Sequence, residues 1–443
     1  MYLLKIINAK LAQTDGTVIE SDLAIDSLGK IERIDKQLNG PARKTLDADG
    51  LTLLPGVIDP QVHFREPGAT HKEDLGSGSR SAVCGGTTSF LEMPNTNPTT
   101  TTHQALADKL KIASEKSVAN YGFFIGATGD NLDVINTAEP VCGIKIFMGS
   151  STGDLLVDKP AVLDKIFANG RRLIAVHAED EERIKQRFDK YSKQYPDALP
   201  VELHSVIRDD QCALLATELA LELSEKYERR FHILHLSTAV EVERLRKNKP
   251  DYVTAEAIPN HLLLNTDDYK SWGTRVQMNP PIRSQDNCDA LWKGLHDGVI
   301  DFIATDHAPH LLDEKMQDYP QSPSGIPGVA TSLPLMLTQM KNGRCTLADI
   351  QKWMSWGVAK AYGIDGKGKV EEGWDADLVL VDLNNTRSVD PDTLFSKTRW
   401  SPYEGQNLYG WPVYTIINGN VVFEKGAFRD GVYGKPLSFN HPD

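Results

Sequence analysis

The stretch DPQVHFREPG, residues 59–68, places Gln61, His63 and Arg65 at every second position after an apolar run. Alternate side chains of an extended strand share one face, so an amide, an imidazole and a guanidinium look together into whatever that strand borders. Lys145 in GIKIFMG, His177 in VHAED, His235 in HILHLST and Asp306 in ATDHAPH also lie at or just past the ends of short apolar runs. Imidazole and carboxylate groups suit zinc, and cobalt or manganese would also fit such a set. An ammonium among apolar neighbours, as at Lys145, is costly unless it is paired or chemically changed. A desolvated lysine of lowered pKa can react with carbon dioxide to give a carbamate, an anionic oxygen ligand able to bridge two divalent ions. The sequence itself shows only the buried lysine. Two ions would lower the pKa of a shared water and polarise a carbonyl. Asp306 would take the proton from that water and return it to a leaving nitrogen. Such chemistry is amide-bond hydrolysis or its reverse.

Each residue has a plainer role open to it. A lone histidine at a strand end is more often structural than a ligand, and Asp306 could cap a turn. The coincidence carries the weight, because five unrelated strands each deliver a metal-compatible or basic group. Arg65 adds a bidentate partner for a carboxylate. Asn95 in EMPNTNP, Asn279 in MNPPIR and His310, four residues after Asp306, stand where polar side chains commonly read a substrate. Turn chemistry explains the two asparagines about as well. His71, His103, His296 and His441 lie in polar text and read as solvated. His204 has no strand context, His232 should face away from His235, and His261 and His307 have no assignment.

The elements that must hold these groups alternate. Strand-like runs LTLLPGVID, TTSFLEMP, YGFFIGAT, GIKIFMGS, RLIAVHAED, FHILHLST, DYVTAEAIP and VIDFIATDHAP are separated mostly by helical patterns such as HQALADKLKIASEKS. Strand and helix alternating about eight times predict an α/β fold, a (β/α)8 TIM-like barrel whose catalytic mouth lies at the C-terminal ends of the strands. Residues 1–52 and 372–443 return to strand-like text, with Asn418-Gly419 as a hairpin signal. They are expected to pair into one small β domain beside a barrel spanning 53–371. Residues 312–328 are polar and rich in proline and glycine, which predicts a mobile loop placed to cover the mouth.

Bulk properties exclude several partners. The 443 residues carry a formal charge of −13, with 40% hydrophobic and 25% charged residues. That balance argues against nucleic acid or an anionic membrane. No run approaches the roughly 18 apolar residues of a membrane span. MYLLKIINAK lacks signal-peptide architecture, and five scattered cysteines without a CxxC pair fit reduced thiols in a cytoplasmic protein.

In order along the chain, PGVIDPQVHFREPG, GGTTSFLEMPNTNP, GIKIFMGSS, VHAED, HLS, MNPPIR, TDHAPH and GWDADLVLVD span nearly its full length. On these motifs the sequence resembles the amidohydrolase superfamily, and within it the class I-type dihydroorotases. The resemblance implies a metal-dependent hydrolase barrel flanked by a small β-sandwich built from both chain ends. It implies reversible cyclisation of N-carbamoyl-L-aspartate to L-dihydroorotate, a small-molecule step of pyrimidine biosynthesis. It further implies Zn2+, one or two ions per chain. His63 would bind a first metal, Lys145 would bridge as a carboxylated lysine, and His177 and His235 would bind a second. Asp306 matches the catalytic aspartate, and Arg65, Asn95, Asn279 and His310 align with substrate-binding positions. Related enzymes are often dimers, so a homodimer is implied on the same footing.

Two departures stand out. Gln61 occupies the place of the family's first HxH histidine, and Asn260 that of a histidine frequent before His261. An amide is a poorer zinc ligand, which leaves three outcomes: a weakened first site, a mononuclear enzyme, or a non-catalytic partner of aspartate transcarbamoylase. Hydantoinase (dihydropyrimidinase) and allantoinase are the other enzymatic alternatives. Arg65 argues for a ring carboxylate, which dihydroorotate has and hydantoin and allantoin lack.

Overall fold

The computed structural model describes residues 1–149 and 155–440; Ser150 and Ser151, which end the GIKIFMGSS motif, and His441 lie outside them. Eight strands form the centre: Val57–Val62, Thr87–Glu92, Asn120–Gly126, Gly143–Phe147, Ile174–His177, Phe231–Ile233, Val253–Ala257 and Phe302–Ile303. Each pairs in parallel with the next. Beyond the eighth strand, a parallel bridge from His307 to Val62 brings the chain back to the first. Nearly every residue of these strands is buried, which explains their unbroken apolar text. All eight expected strands are present, with helices such as His103–Lys116 and Asp210–Tyr227 between them. Thr102 and Asp209 cap those two helices by accepting from backbone N–H groups of their first turns.

The two chain ends meet in a nine-stranded sheet. Tyr2–Ala12, Val18–Ile25, Ile31–Asp35, Ala42–Asp47 and Thr52–Pro55 come from one end, and Leu378–Val381, Pro412–Ile417, Asn420–Glu424 and Ala427–Phe428 from the other. Thr52–Pro55 joins the halves, parallel to the first strand and antiparallel to Leu378–Val381. This sheet has its own core, including Leu4, Leu23, Leu53, Leu378 and Ile416. Asn418 and Gly419 form the hairpin turn with positive φ at both positions, as their residue types require.

One apolar run divides differently from its reading as a single strand. LTLLPGVID breaks at Gly56 into a strand of the end sheet and the first barrel strand. A side chain at Gly56 would collide with Thr88, so the link between the two sheets passes the second barrel strand at a distance only glycine permits. The C-terminal segment also reaches the mouth of the barrel. Trp400 Nε1 donates to the carbonyl of His310, and Tyr403 OH donates to Asn260 Oδ1. No helix among the described residues is long and apolar enough to cross a membrane.

Candidate active site

The seam between the first and eighth strands sets the first group of side chains. Asp59 is fully buried, and its carboxylate takes the Thr305 hydroxyl at 2.5 Å and the backbone N–H of Gln61 at 3.2 Å. Burial pushes the Asp59 carboxyl up to about 7. Past this seam, Gln61 Nε2 donates to Asp306 Oδ1 at 3.0 Å, and His63 Nε2 lies 3.1 Å from the same oxygen. Nδ1 of His63 meets Asn95 Oδ1 at 2.8 Å. If Nδ1 carries the hydrogen for that contact, Nε2 presents a lone pair to Asp306, an arrangement a cation resolves. Gln61 Oε1 is buried without a partner.

The second group comes from the fifth and sixth strands. His177 Nδ1 and His235 Nε2 face each other at 3.1 Å. That is close to the separation of two ligand atoms on one tetrahedral ion with bonds of about 2 Å. His177 is oriented from behind by Glu179 at 3.0 Å, and Glu179 is gripped in turn by Arg208. Burial works against the charge of Glu179, yet Arg208 and His177 hold its carboxyl well below the usual range. Glu256, fully buried, takes the backbone N–H of His235 and also bonds His232. Burial lowers the pKa of His63, His177 and His235, so all three are neutral and able to offer lone pairs.

Lys145 sits within the fourth strand rather than at its end, buried, with its ammonium 4.4 Å from the Phe147 ring centroid. Burial lowers its pKa to about 7, against the opposing pull of Asp306 and Glu256. It lines the same small cavity as His177, His235 and Asp306, so it borders both groups. Among the described residues no three His, Cys, Asp or Glu side chains gather at one point. The donors fall instead into two half-sites. A carbamate on Lys145 would add the oxygen ligands that each half lacks, and on that count the residues fit a divalent metal.

Gln61, His63, Arg65, Asn95, Lys145, His177, His235, Asn279 and Asp306 line one cavity of about 100 Å3. An adjoining cavity of about 580 Å3 shares Arg65, Asn95 and Asn279 and adds His310. All ten candidate positions therefore stand on one continuous lining. Arg65 Nε donates to the Pro309 carbonyl at 3.1 Å, and Nη2 lies 3.2 Å from His310 Nε2. Burial brings Arg65 down to about 10, with Asp306 and Glu92 supporting its charge. Arg65, His235 and Asp306 all adopt positive φ, the kind of backbone strain that clusters at functional sites.

Some expectations need correction. His204, set aside for want of a strand, is buried on the wall of the larger cavity. It lies on the helix Leu203–Ile207, where its Nε2 contacts Asn279 Oδ1 at 3.0 Å. The 312–328 segment is packed as a wall instead of hanging free. Lys315 is fully buried, donating to the carbonyls of Gln277 and Pro323, while Tyr319 and Ser322 line the cavity. Lys315, Ser322 and Ser324 spend their polar groups on hydrogen bonds that tie the segment down, which composition alone does not reveal. His261 bonds the Pro280 carbonyl and His307 accepts from Gly328 N, both structural uses. Glu179, Arg208, Glu92 and Glu256 went unread; for Glu179 the signal was its place two residues past His177 on a strand exit.

Comparison with known proteins matches this architecture. Residues 52–422 match the model of the Amidohydrolase family. A dihydroorotase of Methanosarcina acetivorans is 38% identical over 92% of this chain and 89% of its own. One from Halobacterium salinarum is 37% identical over 93% and 94%. Among solved structures, an L-hydantoinase (dihydropyrimidinase) from Arthrobacter aurescens superposes with a TM-score of 0.93 at 29% identity, covering 99% of this chain and all of that one. The paired half-sites at the barrel mouth and these likenesses agree: the chain belongs to the amidohydrolase family and is a hydrolase of cyclic amide bonds.

Proposed function

We propose that this hydrolase is a dihydroorotase, interconverting N-carbamoyl-L-aspartate and L-dihydroorotate in cytoplasmic pyrimidine synthesis. The observation that carries the reading is Arg65, a half-buried cation shared by the small and large cavities beside Asn95, Asn279 and His310. A ring carboxylate is its natural counter-charge. The relatives named as dihydroorotases support the same choice.

Divalent ions, with zinc best suited, would be held by His63 and Asp306 and by His177, His235 and a carboxylated Lys145, polarising the scissile carbonyl and acidifying a water. Arg65, with His310 and the two asparagines, fixes the ring so that the scissile carbonyl enters the small cavity. Asp306 Oδ1 is engaged by Gln61 and His63, so the proton travels on Oδ2. In hydrolysis the ring C–N bond breaks, the water oxygen becomes part of the new carboxylate, and Asp306 passes the proton to the departing nitrogen. Cyclisation runs the same steps backwards.

A second reading rests on the backbone likeness to the L-hydantoinase. Purified protein loaded with zinc and assayed on L-dihydroorotate, dihydrouracil, hydantoin and allantoin separates the two. Turnover of dihydroorotate alone is expected; turnover only of rings without a carboxylate would overturn the proposal.

A further inference from the structure

A second ammonium stands behind His310. Lys72 Nζ lies 3.0 Å from His310 Nδ1 and 2.9 Å from Glu314 Oε1. An ammonium has only hydrogens to offer, which favours a lone pair on His310 Nδ1. On the other edge of the ring, Nε2 faces the Ser324 carbonyl at 3.2 Å and Arg65 Nη2 at 3.2 Å. Both cations can only donate and a neutral imidazole has one lone pair, so the Ser324 carbonyl, which can only accept, decides: the hydrogen sits on Nε2 and the lone pair on Nδ1 faces the closer cation, Lys72. His310 therefore donates to Ser324 and stands beside the guanidinium as a second donor.

We propose that Lys72 is a positioning residue that holds His310 in its Nε2–H form, so that His310 and Arg65 together present N–H groups to one carboxylate of the cyclic substrate. The proposal rests on the carboxylate reading of the site given above. Glu314 keeps the ammonium in place, its other oxygen taking the backbone N–H of Leu311 at 2.9 Å. The Ser324 carbonyl holds the imidazole hydrogen at the long end of the hydrogen-bond range, and a charged carboxylate is the stronger acceptor. Two donors from different segments, Arg65 on the first strand exit and His310 beyond the eighth, would close on the same group. Lys72 lines neither cavity, its contacts being His310 and Glu314, and it acts through the tautomer alone.

The test uses full-length protein labelled with 15N at histidine, with the His310 signals identified by their loss in a His310→Gln variant. The wild type is expected to show the nitrogen shifts of a neutral, Nε2-protonated ring. In Lys72→Met those shifts should move toward a mixture of tautomers. Affinity for orotate, a stable ring carboxylate, should fall about tenfold, the worth of one oriented hydrogen bond to a charged group. Affinity for uracil, the same ring without the carboxylate, should stay within about twofold on the same reasoning. Lys72→Arg should restore both readouts, and Glu314→Gln, which cuts the ion pair but spares the contact with His310, should leave the tautomer as it is. Unchanged His310 shifts in Lys72→Met, or equal losses for orotate and uracil, would overturn the proposal. A wild-type protein that prefers no ring carboxylate would sink the functional reading and the paired donors with it. An Nδ1-protonated His310 in a protein that does prefer one would sink this proposal alone.

Discussion

Glu92 and Lys109 form an ion pair at 2.5 Å with both side chains wholly buried. Lys109 Nζ also donates to the Met93 carbonyl at 3.0 Å, and Glu92 Oε1 accepts the backbone N–H of Phe64 at 3.1 Å. Phe64 lies between His63 and Arg65, so this pair anchors the strand exit that aims both side chains. Lys109→Met would strand the Glu92 charge. The gross attraction at 2.5 Å is about 7 kcal/mol at an effective dielectric near 20. Much of it offsets desolvation, and losing one partner of such a pair costs about 3–5 kcal/mol net. A 443-residue chain unfolding as one unit has a ΔS of about 0.9 kcal/mol/K, so Tm should fall by about 3–5 °C. Burial raises the Glu92 carboxyl even with Lys109 beside it. An acid raised on folding binds its proton more tightly when folded, so its penalty is full above the folded pKa and fades as pH falls through it. The deficit of Lys109→Met should accordingly be larger at about pH 8 than at about pH 5.5. Glu92→Leu combined with Lys109→Met removes both charges and should recover most of the stability. Denaturant unfolding of the single and double variants across pH decides the matter. Deficits that add in the double variant, or that do not vary with pH, would refute the buried-pair account.

Three further outcomes follow from the site. Arg65→Met should raise KM for dihydroorotate about 10- to 150-fold, the loss of 1.5–3 kcal/mol of charged hydrogen bonding, as steady-state kinetics would show. Lys145, with its pKa lowered to about 7, is a free amine above that value and an ammonium below it. Metal-stripped protein given zinc under a fixed pressure of 13CO2, which holds dissolved carbon dioxide constant, should therefore gain a carbamate NMR signal faster at about pH 8 than at about pH 6, and Lys145→Ala should show none. Gln61→His should raise the zinc retained per chain after gel filtration, measured by elemental analysis, because an imidazole binds zinc better than an amide.

The barrel was legible because parallel strands buried on both faces write themselves as apolar runs, and the catalytic end of each carries its polar residue last. His63, His177, His235 and Asp306 are visible on that principle. What escaped was held by residues whose partners are distant in sequence. Arg208 grips Glu179 across 29 positions and Lys109 lies 16 positions from the Met93 carbonyl it serves. Nothing in the text of a helix such as His103–Lys116 distinguishes Lys109, fully buried, from its exposed neighbour Lys111. The 312–328 segment misled for the same reason, since its polar composition is that of a free loop while Lys315 makes it a packed wall. His204 was missed because short helices between longer ones leave little periodicity to read.

Gln61 shows how a single side chain can shift the work of a site. A histidine there would bring either a lone pair or an exchangeable proton to Asp306. The amide brings a hydrogen that never leaves, donated at 3.0 Å to Oδ1. That donation orients the carboxylate, while His63 Nε2 stands 3.1 Å from the same oxygen. In the pair His177 and His235, Glu179 orients His177 from behind at Nε2, while the two facing nitrogens meet each other and His235 Nδ1 is buried without a partner. Neutral by burial and converging at 3.1 Å, these two rings place the stronger demand for an ion. Gln61 thus makes the halves unequal in kind. One half is organised by the Gln61 amide around Asp306, and on the proposed function the other would be organised by the ion it holds.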